Sequence, residues 1–249
     1  DGHSGTFRMA GTNTADVMCN SGTTNPSGSW TLAIEMENPN RLVQVWKGTA
    51  STVNLGSAMV NVRTGKLRFD EDVDATINQP ITVASTGQLV APSTKRLSIG
   101  SHWNMADRNA VEPRNGEVYI NGSSNSNWNH NNRRVVFYNL TIDAPAQTHN
   151  WNASSDDTLW VLNNLSLNDG SPRSAVVVFE GNISSGASAD PRMDEFVASG
   201  TNNQTIALAA AGQLEGDNLM INKTAGAVSL GADMQLTRLT LKNGHIKPG

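Results

Sequence analysis

One cysteine, Cys19, occurs in 249 residues, so no internal disulfide can form. Cys19 itself, in Asp16-Val17-Met18-Cys19-Asn20, is expected to serve as a small buried hydrophobe. Charged residues make up only 16% of the chain and the net charge is −4, without the basic excess that marks a nucleic-acid binder. No apolar run approaches the roughly 18 residues that a membrane-spanning helix needs, so no insertion into a membrane is expected. His3, His102, His130, His149 and His245 are scattered, with no pair at metal-ligand spacing. Gly65-Lys66 is followed by Leu67 and lacks the Ser/Thr of a phosphate-binding loop, and Gly2-His3-Ser4-Gly5 is not the Gly-x-Ser-x-Gly of a nucleophile elbow. No catalytic set can be named from these absences, and the chain is not expected to be an enzyme.

What is present is alternation. In Asn218-Leu219-Met220-Ile221-Asn222 and Leu239-Thr240-Leu241-Lys242-Asn243-Gly244, apolar and polar residues alternate in short runs closed by Gly, Asn or Asp. That is the period-2 pattern of half-buried strands between tight turns, and no window holds a helical period. The pattern polar-Asn-Leu-x-apolar-polar recurs at Asn139, Asn164 and Asn218, and Gly65-Lys66-Leu67-Arg68-Phe69 is echoed by Gly87-Gln88-Leu89-Val90-Ala91. Echoes of this kind argue for stacked strand units, and the expected fold is all-β, a parallel β-helix or solenoid. Residues 1–50 carry longer alternating runs, such as Trp30-Thr31-Leu32-Ala33-Ile34, and are expected to form a β N-terminal cap. Residues 51–249 would form the solenoid, with an irregular loop excursion around 101–132. The strand-like run before Gly249 suggests an end that continues into more chain or docks on a neighbour.

The stretch Gly200-Thr201-Asn202-Asn203-Gln204-Thr205-Ile206, followed by Asn218-Leu219-Met220-Ile221-Asn222-Lys223, Gly226-Ala227-Val228-Ser229-Leu230 and Leu239-Thr240-Leu241-Lys242-Asn243-Gly244, resembles the repeat of large secreted and surface-attached proteins of Bacteroidetes-type bacteria. The likeness covers residues 196–249 and is fainter from 135. It implies a parallel β-helical, adhesin-like protein at the cell surface, exported by the type 9 secretion route. The low charge and the abundance of Asn, Ser, Thr and Gly independently suit an extracellular β protein.

Two kinds of site are candidates. Trp103, Trp128 and Trp151 lie in the central region, and aromatic faces stack on sugar rings, so they are candidates for binding surface glycans; Trp160, in an apolar run, is expected in the core. Asp70, Asp72 and Asp74 crowd carboxylates just after a strand and could offer oxygen ligands to calcium, although without EF-hand spacing. The expected function is a structural and adhesive solenoid that self-associates into a homo-oligomer or a surface filament. The rivals are a carbohydrate-binding or polysaccharide-cleaving β-helix, with Asp156-Asp157 and Asp190/Asp194/Glu195 as its carboxylates, and a phage tail-spike segment, which should be a trimer.

Overall fold

The computed structural model describes residues 5–11, 15–18, 30–46, 52–55, 58–106, 110–122, 126–129, 134–150, 158–209, 218–231, 234 and 236–248. These form strands, turns and bends, with no helix among them. Every strand pairing is parallel, and each joins strands that are one coil apart. Paired residues stand about 18–28 positions apart, from Leu165↔Ile183 to Trp30↔Ala58, so a coil has the length of a stacked-solenoid repeat. The protein is therefore a parallel β-solenoid, as its alternation predicts.

Three ladders run along it. The first joins Gly5–Gly11, Trp30–Met36, the opening halves of Ala58–Phe69 and Ile81–Val90, and then Trp103–Met105. The second joins Ala15–Met18, Leu42–Trp46 and the closing halves of Ala58–Phe69 and Ile81–Val90, then Val111–Glu112. It continues from Arg134–Phe137 through Thr158–Val161 to Arg192–Ala198 and the opening of Arg238–Pro248. The third begins at Thr52–Asn54, passes through Asp74–Ile77, Arg96–Ile99 and Glu117–Ile120, and runs on to Ile183–Ala189 and Gln204–Ala207.

Strict alternation turns every second side chain inward, and parallel register puts like on like. On the third ladder Ala75, Leu97, Val118, Leu140, Leu165 and Ile183 stack in one column, each at most 3% exposed. Burying a side chain of this size contributes about 1.5–3 kcal/mol, so the columns are the main cohesive force of the rod. Corners are set by residues that can turn: Gly65 has φ +95°, and a Cβ there would lie 2.8 Å from Met36 Cγ. Gly65 pairs with Gly87, so the echo seen between these two segments is true register. Asparagine bridges coils at another corner, where Asn139 Oδ1 accepts from Asn163 Nδ2 at 2.8 Å and from the Asn164 amide at 3.2 Å.

Three expectations change. The strands before residue 50 pair in parallel with those after it, so the ladder runs through the point expected to divide a cap from the solenoid. The expected excursion at 101–132 contains Trp103–Met105, Val111–Glu112 and Glu117–Ile120, all of them rungs of the ladders. Trp103-Asn104-Met105 and Glu117-Val118-Tyr119-Ile120 already alternate in the sequence, but the irregular turns around them hide that they stack on neighbouring coils. Finally, Leu140 and Leu165 share a column on the third ladder, whereas Leu219 stands on Phe196 in the second. The third Asn-Leu echo is therefore a similar strand on a different side of the rod.

Candidate functional site

The outward residues of the third ladder build a polar network over successive coils. Asp74 Oδ1 accepts the Arg96 amide at 3.0 Å, and Arg96 Nε donates to Glu117 Oε2 at 2.6 Å. The Arg96 guanidinium lies 4.1 Å from the centre of the Tyr119 ring, a cation–π contact to the next coil. The Thr141 hydroxyl donates to Glu117 Oε1, and the Tyr119 hydroxyl donates to Asp143 Oδ2. The bond to Asp143, helped by burial, holds the Tyr119 phenol above its usual range, because the neutral phenol is the donor. Beside this network lies an open groove of about 550 Å³, whose walls include Asp74, Lys95, Arg96, Asn115, Glu117 and Asn139. It offers donors and acceptors of both charges at fixed spacing, the equipment for gripping a polyhydroxylated ligand along a strand direction.

The expected aromatic sites are redistributed. Trp103 is fully buried, its ring edge-on to Phe137 with centroids 6.0 Å apart, so it is a core residue and cannot stack on a sugar. Its place in the alternation Trp103-Asn104-Met105 puts it inward with Met105. Trp128 pairs with Trp103 through its backbone, and Trp151 lies outside the described residues, as does Cys19. Trp160, expected in the core, is instead half-buried and turned outward between the inward Leu159 and Val161. Arg134 covers its ring at 4.1 Å, and its indole N–H donates to Glu180 Oε1 at 2.8 Å. Parity within the strand was the sequence signal for both tryptophans; the apolar run around Trp160 and the gathering of tryptophans in the central region pointed the other way.

The expected calcium set is not formed. Among the described residues, no group of three or more His, Cys, Asp or Glu side chains is placed to hold a metal. Asp70 Oδ1 accepts the Glu71 amide at 2.8 Å and caps its own turn, while Asp74 faces the Arg96 backbone one coil on. Glu71, between them, turns to Arg114 at 2.5 Å, and that bond holds its carboxyl below the usual range.

A second surface lies at the end of the ladders. Leu239 and Leu241 occupy the same columns as Leu219 and Ile221, which are 1% and 0% exposed, yet are themselves 47% and 58% exposed. Among the described strands, Arg238–Pro248 pairs on one side only, with Asn218–Leu230, and Gly5–Gly11 pairs only with Trp30–Met36. Among the described residues, each of these two strands therefore has one row of backbone donors and acceptors that no other described strand pairs, a row that fits a parallel strand. In comparisons with known proteins, no family model, no curated protein and no solved structure matches this chain.

Proposed function

We propose that this chain is an extracellular structural and adhesive β-solenoid, a stiff rod that associates with further copies of itself end to end. The observation that supports the reading is the exposure of Leu239 and Leu241 on a strand that, among the described residues, pairs on one side only, in columns that are closed at Leu219 and Ile221. A parallel strand row at one end of a linear stack and another at the opposite end are heterologous surfaces, and head-to-tail joining of such surfaces grows a filament where its rotation does not close a ring. Stiffness follows from the ladders, and the low charge with many amides and hydroxyls suits an exterior setting. Negative-stain microscopy with mass measurement across a concentration series tests this: filaments or growing oligomers are expected, and a chain that stays monomeric throughout overturns it. A tight trimer would instead favour the phage tail-spike reading.

The groove on the third ladder favours a second reading that is compatible with the first, the binding of surface glycans. Its carboxylates, Asp74 and Glu117, flank Arg96 from the coils on either side. A glycan array on wild type and Arg96→Ala tests it, with binding expected to fall in the variant. Turnover of an acidic polysaccharide that is lost in Glu117→Gln would move the protein to the polysaccharide-active class.

A further inference from the structure

Lys223 is the charged side chain that the described fold buries most completely, at 1% exposure, and nothing in the rod's proposed role uses it. It sits in Asn218–Leu230 with the inward parity of Leu219 and Ile221, at the corner between the second and third ladders. Its Nζ donates to Gln204 Oε1 at 2.8 Å and to the Ser199 carbonyl at 3.3 Å. Gln204 is also 1% exposed, and its Nε2 is held by the Phe179 and Gly181 carbonyls of the preceding coil, each at 3.0 Å. Those two acceptors fix the carboxamide so that its oxygen side faces the lysine. Because a carbonyl bond is about 1.2 Å long, Nζ lies no more than about 4.0 Å from the Gln204 carbonyl carbon. That is close to the roughly 3–3.5 Å of a near-attack arrangement.

We propose that Lys223 and Gln204 are joined by a self-catalysed isopeptide cross-link. The lysine nitrogen, as the free amine, attacks Cδ of Gln204. The Nζ–Cδ bond forms as the Cδ–Nε2 bond breaks, and a proton passes from Nζ to the departing nitrogen. In sum, a lysine ammonium and a carboxamide become a secondary amide and an ammonium ion, so charge is conserved and no oxidant or other reactant is needed. Burial favours the step twice. It pushes the lysine below its usual range, against the opposing charge of Glu180, which favours the free amine, and it keeps out water as a rival nucleophile. The Phe179 and Gly181 carbonyls already hold the leaving nitrogen. The product closes a ring over residues 204–223 and ties adjacent coils covalently at a corner, where a rod under tension would otherwise shear. The inference does not depend on the self-association proposed above.

Intact mass and peptide mapping of the denatured full-length chain test it. The greater part of the chains is expected at the sequence mass less one ammonia, with a branched peptide containing both Gln204 and Lys223. Lys223→Met should appear at its own full sequence mass with no ammonia missing, which separates the cross-link from ammonia lost at an asparagine. Wild-type chain at full sequence mass, with both residues in separate linear peptides, overturns the proposal. So does an ammonia deficit that persists in Lys223→Met. The mapping uses wild type, so the outcome stands even where the variant folds poorly.

Discussion

Replacing Trp103 with alanine separates a core tryptophan from a sugar-binding one. The side chain is fully buried in the first ladder, stands in register with Ile81, and meets Phe137 edge-on at 71°. Truncating a buried aromatic to alanine costs about 3–5 kcal/mol through lost transfer energy and the cavity left behind. The edge-to-face pair accounts for about 0.5–1.5 kcal/mol within that. With a urea m-value near the upper end of the ~1–3 kcal/mol/M range, the unfolding midpoint should fall by about 1–1.7 M. Each coil touches only its neighbours, so the loss of hydrogen-exchange protection should centre on Ile81–Val90 and Arg134–Phe137 and fade along the rod. Trp160→Ala is the contrasting arm. It removes a half-buried indole, its Arg134 stacking and its bond to Glu180, and should cost only about 1–2 kcal/mol. A Trp103→Ala loss below about 1 kcal/mol, or lost glycan binding at unchanged stability, would falsify the assignment of Trp103 to the core.

Three further outcomes follow from the same geometry. Gly65→Ala forces an L side chain to φ +95° with its Cβ against Met36, and should cost at least about 1–2 kcal/mol in chemical denaturation. Leu239→Ser with Leu241→Ser alters side chains already about half exposed, so the unfolding midpoint should barely move while self-association in sedimentation weakens; unchanged association would remove this edge from the interface. Tyr119 has a folded-state pKa raised above the ordinary tyrosine value of 10.0, so its bond to Asp143 adds stability below that pH, and the contribution is lost as pH rises through the folded value. Absorbance titration should show a late-ionising tyrosine that disappears in Tyr119→Phe, and the stability gap between the two proteins should close at high pH.

The sequence by itself determined that the chain is all-β, that its strands stack as coils, and, through strand parity, which side chains enter the core. Leu159-Trp160-Val161 shows how far this goes: alternation with two inward aliphatics already puts Trp160 outside, and reading the run simply as apolar hides it. The Gly65/Gly87 echo even gave a correct register, because the two coils have matching turns. Tertiary structure decided everything that depends on turn length. Whether Asn218-Leu219 continues the column of Leu140 and Leu165 or opens another depends on how much chain the intervening corners take up, and these corners differ from coil to coil. The same holds for the groove around Arg96, the burial of Trp103 against Phe137, and the meeting of Lys223 with Gln204. Alternation is a local property set by the two-residue pleat, whereas partnership between coils is set by corners some twenty residues apart, and no local pattern records their sum.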